Sequence, residues 1–286
     1  MDAVYRVVAS LVMGLMSALG IQLPPATWQM QPMLDGKTVA LTFSDHPHSS
    51  HSMTIAIDQF EGLKRLLQSN GPARFRLKRD AGSFEFDGVL RAGAGGGTME
   101  FVPSTTFPAE LAKRGFDTPT RVEQLKMAWH DAGFAFIDEL TAQKYQHPTL
   151  QQLVNAGDHG VDRGYVQDMA GLGYRLDSVD ALIRQHDHGV SGEYIRELRT
   201  LGLSGLSSDD LVRARDHGVG PEYILELRQF GYRLSLDDLV RARDHGISAS
   251  WVRVVESHAS GHLSLDELVD LRNHGLDRPV TAARRR

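Results

Sequence analysis

The stretch DDLVRARDHGVGPEYILELRQFGYRL, Asp209–Leu234, runs directly into SLDDLVRARDHGISASWV, Ser235–Val252. The second passage repeats the Asp-Asp-Leu-Val-Arg-Ala-Arg-Asp-His-Gly core of the first. The same histidine returns at His130, His159, His188, His217, His245 and His274, with steps of 29, 29, 29, 28 and 29 residues. Self-similarity at this period marks a stacked repeat array, in which each unit completes its core against its neighbours.

Within one unit the pattern predicts two short helices. Ser207 or Ser208 caps the first, with Asp209 and Asp210 near its positive end and Arg213 and Arg215 toward its negative end. Asp209 and Arg213 stand at the i,i+4 spacing of a helical ion pair. Gly218 is expected as a left-handed C-terminal cap, in a column with Gly160, Gly189, Gly246 and Gly275. Pro221 and Glu222 open the second helix, Tyr223, Ile224 and Leu227 form its apolar stripe, and Gly231 ends it. Across the units, Leu153, Leu182, Leu211, Leu239 and Leu268 share one buried column. Phe136, Tyr165, Tyr194, Tyr223 and Trp251 share an aromatic one. The first unit reads His130-Asp131-Ala132-Gly133 in place of Asp-His-Gly, and Pro279 makes the last unit degenerate.

Before Pro108 the period is two. Val39, Leu41 and Phe43 alternate with Thr38, Ala40 and Thr42, and Met53, Ile55 and Ile57 repeat the pattern. Phe75 and Leu77, Phe84 and Phe86, and Met99 and Phe101 continue it. Such runs, broken at Asp35-Gly36, Asp80-Ala81-Gly82 and Gly93–Gly97, predict five or six antiparallel strands with one wet face. Gln59–Gln68 is expected as a helix on the apolar face, and the glycines from Gly93 to Gly97 as a hairpin loop. The fold class is therefore α+β: a small β-rich domain over 27–116, then six helical-hairpin repeats over 117–286.

Residues Val7–Ile21 form an apolar run of 15 residues after Arg6. This is short for a membrane span of about 20 residues and suits a signal-peptide core, with cleavage after Gly20. The expected location is periplasmic or extracellular. An uncleaved N-terminal anchor is the alternative, and residues 1–26 would then be the only part touching a membrane. The net charge of −5 argues against a nucleic-acid partner, and the absence of cysteine excludes disulfides and thiolate sites.

A ladder of histidines invites a metal reading, but packed helices lie about 8–10 Å apart, too far for neighbouring rungs to share one ion. Each His stands in the last turn before a glycine, where it can bind a free carbonyl and meet the helix dipole. The Asp before it (Asp158, Asp187, Asp216, Asp244) can orient it or pair with an adjacent repeat. The candidate metal ligands are His46, His48 and His51, in a loop expected between two strands. His258 and His262 lack the His-Glu-x-x-His pattern of zinc peptidases. There is no Gly-x-Ser-x-Gly elbow and no phosphate-binding loop. The expectation is a non-enzymatic chain without a cofactor.

The unit Asp187–Leu198, Asp-His-Gly-Val-Ser-Gly-Glu-Tyr-Ile-Arg-Glu-Leu, resembles helical repeats of mostly uncharacterised bacterial proteins. It is similar to repeats in C-terminal extensions of membrane metallopeptidases of the BlaR/MecR type, and Arg74–Phe101 resembles the sheet segment preceding them. The peptidase domain and its zinc motif are absent, so no catalytic residue carries over. The resemblance implies a sensing or partner-binding role. The leading expectation is an exported scaffold that binds another protein. The alternatives are a sensory accessory of an envelope or antibiotic-response pathway, and a metal-binding protein or hydrolase using His46, His48 and His51.

Overall fold

The computed structural model describes residues 26–46 and 49–275. The chain is α+β and forms two compact units that divide between Trp129 and His130. The helix just before that division, α3 (Arg121–Trp129), therefore belongs with the sheet.

The first unit holds seven antiparallel strands: β1 (Ala26–Pro32), β2 (Thr38–His46), β3 (Ser49–Ala56), β4 (Phe60–Glu61), β5 (Gly71–Arg79), β6 (Gly82–Arg91) and β7 (Ala94–Pro103). Their order in the sheet is β3-β2-β1-β7-β6-β5-β4. Two meanders thus meet where β1 pairs with β7, a junction that joins Ala26 to Met99 across most of the unit. The expected alternation holds for Val39, Leu41, Phe43, Ile55, Phe75, Leu77, Phe84, Phe86, Met99 and Phe101, all buried. It is corrected at Met53, half-buried near the sheet edge, and at Ile57, which leaves the strand for a 3-10 turn. β1 adds a strand beyond the expected alternations, placing Trp28 and Met30 in the same core.

Trp28 explains the glycines. It lies opposite Gly97, which in turn lies opposite Gly88, so two bare backbones form a seat for the indole. A Cβ on Gly88 would stand 2.8 Å from the Trp28 ring, and one on Gly97 would stand 2.0 Å from the Asp87 carbonyl. The indole N–H donates to that same carbonyl at 3.2 Å. Phe75 and Phe86 pack edge-on to Trp28, with centroids at 5.2 and 5.9 Å. Gly95, Gly96 and Gly97 are therefore strand residues, and the reading of Gly93–Gly97 as a loop is corrected. The turn needs only Ala92 and Gly93, both with positive φ.

The helix expected over Gln59–Gln68 is also corrected. That segment holds a 3-10 turn (Ile57–Gln59), the two-residue strand β4 and a single helical turn, α1 (Leu63–Leu66). Phe60 is taken into the sheet, where it packs against Phe75 and Phe86, and this divides the segment. α2 (Phe107–Lys113) follows β7 and buries Phe107 and Leu111. α3 closes the unit: Trp129 stands edge-on to Phe43, centroids 4.2 Å apart, and the Gln124 amide donates to the Ser104 carbonyl at 2.7 Å.

The second unit is a run of paired short helices. First helices are α5 (Leu150–Asp158), α7 (Val179–Asp187), α9 (Ser208–Asp216), α11 (Leu236–Asp244) and α13 (Leu265–Asn273). Second helices are α4 (Phe134–Ala142), α6 (Arg163–Gly171), α8 (Gly192–Thr200), α10 (Pro221–Gln229) and α12 (Ala249–Glu256). Nearly all have nine residues, below the length at which an isolated helix holds itself, so capping and stacking carry them. Ser178, Ser191, Ser207, Ser235, Ser248 and Ser264 each accept the backbone N–H three residues on. Gly160, Gly189, Gly218, Gly246 and Gly275 take left-handed φ between 66 and 78°. The N–H after each turn reaches back into the helix, as from Val161 to the Ala156 carbonyl at 2.8 Å. Asp131, at φ 54°, does in the first unit what glycine does later. Pro279 lies outside the described residues.

Candidate functional site

The surface of the array is organised by ladders that cross from one repeat to the next. The histidines form the first. His159, His188 and His217 each end a first helix, and their Nδ1 atoms lie 2.9, 2.5 and 2.5 Å from the carboxylates of Asp187, Asp216 and Asp244 in the following unit. His130 meets Asp158 through Nε2 at 2.9 Å, and His245 meets Asn273 at 2.8 Å. Each Asp is followed in sequence by the next unit's His, so the contact runs along the array as one alternating chain. The expected bond from His to a free carbonyl occurs at the last position, where His274 Nδ1 binds the Asp270 carbonyl at 2.8 Å. In the other units the neighbouring Asp or Asn takes the ring.

A second ladder is made by arginines. Arg184, Arg213 and Arg241 reach Asp209, Asp237 and Asp266 of the next unit at 2.8, 2.6 and 2.6 Å. The expected pair of Asp209 with Arg213 is replaced, because the neighbouring repeat presents carboxylates closer than the residue's own helix does. Asp210 is used instead for the capping box with Ser207, whose hydrogen bonds hold its carboxyl below the usual range.

A third ladder runs through the aromatic column. The hydroxyls of Tyr165, Tyr194 and Tyr223 donate to the carbonyls of Val190, Val219 and Ile247 in the next unit, at 2.9, 2.7 and 2.8 Å. Burial pushes Tyr194 and Tyr223 up to about 12, and Tyr165 is raised for the same reason. Arg215 and Arg243 of the next unit stack on Tyr194 and Tyr223, each guanidinium carbon 3.6 Å from the ring centre. In the first interface Gly157 replaces that arginine, since a Cβ there would lie 2.4 Å from His130.

These ladders use the inner and edge positions. On the second helices, Asp138, Gln167, Arg196, Leu225 and Arg253 occupy one exposed column whose chemistry differs from unit to unit. Gln167 and Arg196 bind Glu139 and Asp168 of the preceding unit at 2.6 and 2.7 Å. Leu225 stands at the same point and is 50% exposed. The repeat pattern also predicts exposed, variable positions at Asp162/Arg163, Gly192/Glu193, Pro221/Glu222 and Ala249/Ser250. The structure corrects this for Gly192 and Ala249, which are buried at the first position of their helices, and leaves Asp162, Arg163, Glu193, Glu222 and Ser250 exposed.

Among the other candidates, His51 is a strand residue of β3, opposite Phe43, on whose ring it stacks at 5.1 Å. The hairpin is tighter than a seven-residue loop, since β2 runs to His46 and β3 starts at Ser49. The His46 side chain and all of His48 lie outside the described residues. Among the described residues no group of three His, Asp or Glu could hold a metal ion. His258 binds the Val254 carbonyl at 2.8 Å and His262 lies 2.8 Å from Glu256, so the two have separate partners. No described helix is long and apolar enough to cross a membrane.

The sequence places Arg213 within its own helix, and the link of Arg184, Arg213 and Arg241 to the next repeat emerges only from the structure. Their signal was present as an arginine column at 184, 213 and 241 and an aspartate column at 209, 237 and 266. It was obscured because a pair within one helix looked equally good. Comparison with family models, curated proteins and solved structures returned no match to this chain.

Proposed function

We propose that the chain is a non-enzymatic, exported scaffold that binds another protein through the outward face of its second helices. One observation carries this reading. The histidine, arginine and tyrosine ladders keep one chemistry through the central units, whereas the outward column changes from acid to amide to base to apolar residue, Asp138, Gln167, Arg196, Leu225, Arg253, even where it also touches a neighbouring unit. A stacked array keeps its core while such positions change, which gives an extended surface open to specialisation. Leu225, half exposed between Arg196 and Arg253, gives that column an apolar group to probe. Export rests on the apolar run Val7–Ile21, which has the length of a signal-peptide core.

The test is capture of partners from a cell-envelope fraction by the intact chain, by a Leu225→Glu variant and by a chain ending at Trp129. Recovery that falls with Leu225→Glu and disappears without the array is the expected outcome. Equal recovery by all three would remove the repeats from the binding role.

A further inference from the structure

The β1–β2 hairpin ends in an apolar tip. Its turn is closed by Met33 N–H to the Thr38 carbonyl at 3.0 Å and by Gly36 N–H to the Met33 carbonyl at 3.1 Å, with Gly36 at φ 63°. Turn tips are normally built of Gly, Pro, Asn, Asp and Ser. Asp35 and Gly36 follow that rule, but Met33 is 41% exposed and Leu34 fully so. The turn is fixed, because the Asp35 carboxylate accepts the Lys37 and Thr38 N–H groups at 2.9 Å each and the Thr38 hydroxyl at 2.8 Å. Asp35 is thus turned into its own loop while Leu34 is held outward.

Cations gather at the same end of the sheet. A Cβ on Gly93, in the β6–β7 turn, would stand 3.3 Å from Pro32 and 3.6 Å from the Leu67 carbonyl. This places Arg91, just before that turn, and Lys64 and Arg65, on the α1 turn leading to Leu67, around the tip together with Lys37. All four are exposed. The acids of this end are Asp35 and Asp58, which follows Ile57 where the Ile57 N–H binds the Lys37 carbonyl at 2.9 Å. In a chain of net charge −5, this end carries an excess of positive charge.

We infer that this end of the sheet docks on an anionic lipid surface, Met33 and Leu34 entering the headgroup boundary and Lys37, Lys64, Arg65 and Arg91 facing the headgroups. Two features select lipid over a protein partner. The apolar group projects from a hairpin tip instead of lining a groove, and its border is basic, which is the pairing that holds interfacial anchors. Each cation near an anionic leaflet adds roughly fivefold in affinity, and burial of Leu34 adds about tenfold or more. The contact is separate from any made by residues 1–26.

The chain holds no cysteine, so Leu34→Cys gives a single labelling site for an environment-sensitive fluorophore on the full chain. Ser50→Cys, exposed at the opposite end of the sheet, is the reference site. The probe is a vesicle of phosphatidylcholine and phosphatidylglycerol at about three to one, compared with phosphatidylcholine alone. The expected result is a blue shift at position 34 on the anionic vesicles, little shift on the neutral ones and none at position 50. Arg91→Ser in the Leu34→Cys chain weakens the partition about fivefold. Because residues 34, 50 and 91 are exposed, the unfolding midpoint stays that of the parent, which separates loss of docking from loss of fold. Absence of a shift at position 34 overturns the proposal, even if the chain attaches to vesicles through another segment. An equal shift at both positions, or on both vesicle types, overturns it as well. Capture of an envelope protein that is lost on Leu34→Asn, with no vesicle signal, would assign the tip to a protein partner and likewise overturn it.

Discussion

The sheet unit and the helical array solve the same problem in opposite ways. In the sheet, stability depends on residues far apart in sequence: β1 must find β7, and Trp28 must settle on Gly97 and Gly88. In the array, the cross-repeat bonds described above reach to the next unit and no further, as from His188 to Asp216 or from Tyr194 to Val219. The sheet is therefore specified by a few non-interchangeable contacts, and the array by many similar ones. Damage is predicted to be severe and global in the first, and graded and local in the second.

The largest effect belongs to the seat of Trp28. Gly97→Ala would drive a Cβ to 2.0 Å from the Asp87 carbonyl and 2.5 Å from the Gly88 backbone. The sheet unit should lose ~3 kcal/mol or more, at the severe end for overpacking. A Trp251→Phe background leaves Trp28 and Trp129 of the sheet unit as the emitters. In it, urea unfolding followed by tryptophan emission and by helicity at 222 nm separates the two regions. If both signals shift together, the contrast fails and the units unfold as one.

Alkali should act on the array instead. Among the described residues every tyrosine lies in the second unit. Tyr194 and Tyr223 have folded values raised from 10.0 to about 12, so folding favours the neutral phenol. Their contribution is fully present below pH 10 and is lost as pH rises from 10 to about 12. At the upper limit each loses on the order of 2 kcal/mol. The array's urea midpoint should fall steeply across this window while the sheet's moves less, and equal slopes would contradict the assignment.

Single rungs should cost less. Tyr194→Phe leaves the buried Val219 carbonyl without its 2.7 Å donor and should weaken the array by about 1 kcal/mol. Hydrogen exchange should locate the loss in the units on either side. Smallest is His217→Ala, which removes a half-exposed contact with Asp244 and should cost about 0.5 kcal/mol, less in high salt. A drop comparable to that of Gly97→Ala would show that the His–Asp chain acts as a unit.

Much of the array was legible in advance because its information is local. Ser207, Gly218 and Pro221 each act within one turn of helix, and repetition confirms each against its equivalents. The sheet was legible only as alternation. Gly95, Gly96 and Gly97 looked like a loop because a run of glycines is ambiguous until the partner strand is known. Gln59–Gln68 looked like a helix because its apolar spacing says nothing of the aromatic cluster that draws Phe60 into the sheet. The histidines stand at helix ends as expected, and of the two roles open to the Asp before each one, orienting its own His or pairing with an adjacent repeat, the structure selects the second.

By itself, then, the sequence determined the fold class, the frame of the paired helices, and most of the caps that begin and end them. These follow from periodicity and from backbone chemistry acting over three or four residues. Tertiary structure decided the strand order, the glycine seat of Trp28 and which of the possible partners each ladder residue takes. Those depend on which surfaces meet in space, and identical side chains serve either outcome until they do.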